Sequence, residues 1–115
     1  MKLIPRPKTA VVVSFYAMAL YFIGIGVLSA GYTLQVVGAT LVGGIHALLG
    51  WGVQRGEEWS IGFGKYLSFV DLIFSILWMM LGVLPQGATL FFLSALVLVL
   101  LSDPEVEGQI LGRIY

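Results

Sequence analysis

Two side chains have chemistry that a hydrocarbon setting makes costly: His46, at the centre of one long apolar stretch, and Asp71, near the middle of the next. An ionised carboxylate at mid-bilayer depth costs about 2.5–3.5 kcal/mol on insertion scales, so Asp71 is expected to be neutral, paired or in contact with water. His46 is the obvious partner. Counted from the charged connection between the two stretches, His46 lies about seven residues deep and Asp71 about eleven, a mismatch of roughly 6 Å at about 1.5 Å per residue. Ser68 lies nearer the level of His46. A direct pair therefore calls for a helix shift, a tilt or a bridging water. Two roles are open to the intramembrane polar group Asp71, His46, Ser68 and Ser75. The first is a proton- or cation-handling site. The second is a polar knot in which protonated Asp71 bonds to Ser68, Ser75 or a tyrosine and fixes helix register. One carboxylate and one histidine make a thin relay, which weighs towards the knot.

Other chemistry is thinly represented. With no cysteine and a single histidine, disulfides, thiolate metal sites and two-histidine haem ligation are excluded, and no metal site or cofactor is expected. Gly62-Phe63-Gly64-Lys65-Tyr66 lacks the Walker spacing and lies in an apolar stretch, so it is expected to pack helices rather than hold phosphate. Lys65 is expected to snorkel to the interface. The serines have no triad context, and no reaction motif points to an enzyme. Neutral formal charge and the absence of a charged groove give no argument for nucleic acid as a partner.

The elements that would position these groups follow from composition. Only 10% of the 115 residues are charged and 59% are hydrophobic, too few charges for a water-soluble surface. Hydropathy predicts an all-α, polytopic membrane protein: a four-transmembrane-helix bundle of two tandem hairpins, in one domain over 1–115, with the lipid bilayer as its surroundings. The spans are expected at 9–29, 33–53, 60–83 and 86–102. The first apolar run is too long for an ordinary signal-peptide core, so it is expected to be retained as a span. The fourth is the shortest and must recruit Gln86 or Ser102, or lie over a locally thinner bilayer. Ser29 to Tyr32 and Leu84-Pro85-Gln86-Gly87 are the expected outer turns. Lys2, Arg6, Lys8, Arg55, Lys65 and Arg113 all fall on the side of the termini and the middle loop, which predicts cytoplasmic N- and C-termini. Trp51, Trp59 and Tyr32 sit where interfacial belts would place them.

Gly26-Val27-Leu28-x-x-Gly31-x-Thr33-Leu34 recurs 56 residues later as Gly82-Val83-Leu84-x-x-Gly87-x-Thr89-Leu90, which suggests a tandem repeat in one orientation. In lipid, small residues that permit close approach and polar residues that bond across helices decide the interfaces. Gln35, Ala39, Gly43, His46, Ala47 and Gly50 share an arc of roughly 120° of the second helix. Gly64, Ser68, Asp71, Ser75 and Gly82 share about 60° of the third. Ala10, Ser14, Ala17, Tyr21 and Gly24 form a comparable stripe on the first. The expected helix-packing positions are thus Gly24, Ala39, Gly43, Gly50, Gly64 and Gly82. The fourth helix, rich in Leu, Val and Phe around Ser94, is expected to be the most exposed to lipid or to form an apolar contact with a partner protein. In the tail, Ser102-Asp103-Pro104-Glu105 has the marks of a capped helix start, with a short amphipathic helix over 104–114 that would align Val106, Ile110 and Ile114.

In size and span count the chain resembles small four-helix multidrug transporters and fluoride channels. It departs from the former in lacking a membrane-embedded glutamate in the first helix, and from the latter in its charge asymmetry. The resemblance carries no residue across. The expected function is that of a non-enzymatic, self-associating or accessory subunit, as a homo-oligomer or in a larger membrane complex. The alternative is a minimal proton- or cation-linked transporter or channel using Asp71.

Overall fold

The computed structural model describes residues 6–82 and 84–112. Four long helices are followed by a short one: α1 (Pro7–Leu28), α2 (Thr33–Gln54), α3 (Glu58–Met80), α4 (Leu84–Leu101) and α5 (Pro104–Ile110). The first four are each long and apolar enough to cross a membrane. They form two antiparallel hairpins, α1 with α2 and α3 with α4, and the chain is a four-span helical membrane protein. Lys2, Val83, Arg113 and Ile114 lie outside the described residues.

The α3–α4 turn falls earlier than the sequence suggested. Proline is tolerated in the first turn of a helix, where its missing N–H has no partner to lose, so Pro85 lies inside the start of α4 and the turn is made by Gly82 at φ 90°. Moving the turn gives α4 its 18 residues, about 27 Å of helix. Gly87, expected in that turn, is buried within α4, where an added Cβ would lie 2.9 Å from the Ser75 carbonyl oxygen and 2.6 Å from Met79. The motif glycines consequently occupy different places in the two hairpins: Gly31 is a turn residue at φ 98° while Gly87 is helical, and Gly26 is helical while Gly82 is a turn residue.

The buried face of α1 also differs from the expected stripe. Val11, Phe15, Met18 and Phe22 are buried there together with Ser14, whereas Gly24 has open space around it. Large side chains of α1 fill the notches left by glycines on its neighbours: Phe15 and Tyr16 against Gly50, Ile23 against Gly43, Phe15 with Leu101 against Gly64. Small residues on α2 and α3 serve large ones on α1, so α1 has little need of a small seam. Helix α4 buries Leu90, Ser94, Val97 and Leu101 on one face and is no more exposed than α2 or α3. Its apolar character reflects packing against α1 and α3 as much as contact with lipid.

At the end of the bundle that carries Arg55, here the basic end, α5 folds back onto the core. Val106 and Ile110 are fully buried, and an added Cβ at Gly56 would lie 2.7 Å from the Ile110 carbonyl oxygen. The N-cap is Asp103 rather than Ser102: its carboxylate accepts from the Glu105 backbone N–H at 2.9 Å, while the Ser102 hydroxyl donates to the Leu98 carbonyl. Pro104 at the first helical position fixes that frame.

Candidate functional site

The α3 seam is buried as a row: Ser60, Gly64, Ser68, Asp71 and Ser75. On α2 the buried set is Gly43, His46, Leu49, Gly50, Gly52 and Val53. The two helices approach where Gly52 receives Trp59 and Ser60, and again where His46 Nε2 and Asp71 Oδ2 share a hydrogen bond. His46 is completely buried and Asp71 nearly so.

The pair forms despite the level mismatch read from the sequence, and side-chain direction explains why. Every Cα–Cβ bond in a helix tilts towards that helix's N-terminus. Helix α2 runs towards the basic end and α3 runs away from it, so His46 leans from its shallower level away from that end while Asp71 leans back towards it. The two lean towards each other along the bundle axis, and this covers much of the roughly 6 Å that separates their Cα levels.

Hydrogen bonding fixes the protonation pattern. Nδ1 of His46 lies 2.7 Å from the Val42 carbonyl oxygen, which can only accept, so Nδ1 carries a proton. One further proton then lies between Nε2 and Oδ2. The pair is neutral overall whether it is written as imidazole with carboxylic acid or as imidazolium with carboxylate. The Phe22 ring stacks on the imidazole at 5.0 Å between centroids and 25° between planes, and Phe15 lies at 6.4 Å. These rings cover the pair on the α1 side.

The remaining polar groups of the seam are not tied to Asp71. Ser75 donates to the Leu72 carbonyl at 2.6 Å, and Ser94 to that of Leu90 at 2.6 Å. Ser68, one turn from Asp71, is completely buried and its hydroxyl has no partner among the described residues; the same holds for the Tyr21 hydroxyl. The polar knot is therefore a His46–Asp71 bond, without the serine or tyrosine ligands expected for it. Of the expected packing glycines, Gly43, Gly50 and Gly64 are in close contact, and Ala39 meets Gly26. Gly24 and Gly82 meet nothing, because one faces open space and the other is the turn. Gly26, Gly52 and Gly87 are close-contact glycines outside the expected set, and the sequence signal for Gly52 was its place just before the charged loop.

Beyond the pair, towards the turn end, two cavities are lined by residues of α1, α2 and α3. A cavity of about 150 Å³ reaches Asp71 between Phe22, Val42 and Phe74. The same three residues line a second cavity of about 240 Å³, which extends to Gln35 and Trp78. Towards the basic end lies a larger groove of about 420 Å³, apolar in lining, between Leu48, Leu49, Trp59, Phe63 and Leu67. Among the described residues no cluster of three or more His, Asp or Glu side chains is placed to hold a metal ion.

No family model matches the chain, and no curated protein or solved structure matches it. Fold and site define a four-span helical membrane protein with a buried histidine–aspartate pair at the meeting of its two hairpins.

Proposed function

We propose that the chain is a minimal proton- or cation-linked transporter or channel, and that the His46–Asp71 pair is its working group. The observation that carries this reading is the direct bond between the two side chains, with one shared proton and a cavity leading to the carboxylate. An intramembrane carboxylate is costly to keep, and its pairing with the only histidine of the chain puts a group able to hold or release a proton at mid-bilayer depth. The unpartnered Ser68 hydroxyl one turn away adds a polar group on the basic-end side. The test is proton flux in liposomes containing the parent chain, Asp71→Asn and Asp71→Leu. Asn keeps the size and hydrogen-bonding capacity, so thermal stability is retained and flux is lost. Leu removes the bond as well and costs about 1–2 kcal/mol of stability in addition. Flux that persists unchanged in Asp71→Asn refutes the reading.

A non-enzymatic subunit that self-associates or joins a larger complex is the second reading. Gly38 and Gly44, which have open space around them on α2, favour it, because small residues with nothing against them allow another helix to approach. Crosslinking in the native membrane tests that role.

The placement of basic residues supports cytoplasmic termini. Arg6, Lys8 and Arg55 lie at the basic end, and Arg55 sits over the Trp51 ring at 5.3 Å. In this cysteine-free chain, Glu57→Cys labels from the cytoplasmic side and Gly31→Cys and Gln86→Cys from the other. Labelling of position 57 from outside reverses the topology.

A further inference from the structure

We propose that the cleft between α2 and α3, on the turn-end side of Asp71, binds a small lipophilic ammonium ion. Its positive centre lies against Asp71 and the rings of Phe22 and Phe74, and its apolar remainder extends along Trp78. The inference rests on the reading of Asp71 as a working, ionisable group and gives that group a ligand. Four observations carry it.

Asp71 is the ionisable side chain that lines the cleft, and its second oxygen, Oδ1, has no hydrogen-bond partner among the described residues. The walls around it are aromatic: Phe22 and Phe74 line both cavities, and Trp78 adjoins Phe74 at 4.9 Å between centroids. Ring faces attract cations, most strongly where water is excluded, and aromatic cages are a recurring means of holding quaternary ammonium groups. The cavities of about 240 and 150 Å³ share three lining residues, which suits a compact ligand rather than an extended one. Finally, the donor set argues against a bare metal ion, which needs several oxygen ligands where this cleft offers one carboxylate and, at its far rim, the Gln35 amide. An organic cation brings its own apolar coat and needs only its charge to be met, and the pair meets it by releasing the shared proton, which leaves neutral His46 beside ionised Asp71. Anions find no positive group in the lining.

The measurement is calorimetric binding of benzyltrimethylammonium to the full chain in lipid nanodiscs, with empty nanodiscs subtracted. Its uncharged carbon isostere, neopentylbenzene, serves as the comparison ligand. Saturable binding of the cation is expected, weakened at least tenfold by Asp71→Asn and several-fold by Phe74→Leu, the scale of a lost cation–π contact. Phe74 is 42% exposed and lies outside the buried core, so its replacement spares the core. The isostere is expected to show no saturable binding. Equal binding of both ligands, or cation binding indifferent to Asp71→Asn, overturns the proposal and leaves the cleft as a groove for lipid chains. Asp71-dependent proton flux without ammonium binding likewise overturns it while leaving the proton reading intact. Ammonium binding that needs Asp71 in a chain without flux supports this site and refutes transport.

Discussion

The two halves of α2 differ in what their small residues meet. In the half nearer the basic end, Gly43, Gly50 and Gly52 each receive a neighbouring helix, with added Cβ atoms 2.8 to 3.2 Å from Ile23, Tyr16 and Trp59, and Gly44 alone of its glycines faces open space. In the other half, Thr33 to Val42, no residue is fully buried, and Gly38 meets nothing. Lipid provides no hydrophobic drive for helices to associate, so closure depends on a large side chain finding a small partner. Between α2 and α3 that close fit is confined to Gly52 with Trp59 and Ser60; beyond it a groove of about 420 Å³ lies on the basic-end side of the His46–Asp71 pair and smaller cavities lie on its turn-end side. The polar pair therefore ties α2 to α3 between two open stretches, a buried clasp whose Asp71 lines the turn-end cavity.

The strongest way to break this comparison is to add volume to each half. Gly43→Leu would push against Ile23 and the Ala19 carbonyl and is expected to cost about 1–3 kcal/mol in detergent melting. Gly38→Leu, in open space, should stay within about 0.5 kcal/mol of the parent. Equal losses would show that the halves are packed alike.

A smaller effect sharpens the picture at the basic end. The backbone N–H of Glu105 holds the Asp103 carboxyl below the usual carboxylate range. A group whose folded value is depressed adds stability above its unfolded value, here 3.8, and loses it as pH falls through the folded value. Docking of α5 should thus be steady near neutrality and loosen only below about pH 4. Hydrogen-exchange protection at Val106 to Ile110 is expected to fall under acid and in Asp103→Ala while that of α1 is retained. Unchanged protection of α5 in both cases would remove Asp103 as its anchor.

Much of this architecture was legible in the residues. The four spans, the hairpins and the buried row from Gly64 to Ser75 follow from hydropathy and helical periodicity, because the polar and small residues of α3 are so sparse that their common face is evident. Asp71 and His46 stand out as candidate site residues by their cost in lipid alone. Their direct bond does not, since counting Cα levels omits the opposite lean of side chains on antiparallel helices. Pro85-Gln86-Gly87 read as a turn because both residue types break helices, yet a proline in the first turn and a glycine against a neighbouring backbone are compatible with α4. The core face of α1 escapes the same pattern for a related reason: small residues mark a seam on only one partner, and the other presents Phe15 and Phe22.

The bond between His46 and Asp71 is directly measurable, because the chain has a single histidine. Nitrogen NMR of histidine-labelled chain in lipid reads both ring nitrogens without overlap. The prediction is a protonated Nδ1, an Nε2 signal displaced from that of a free imidazole nitrogen by the shared proton, and a shift of that signal in Asp71→Asn. A proton resting on Nε2 with Nδ1 bare, or a spectrum unaltered by Asp71→Asn, would contradict it.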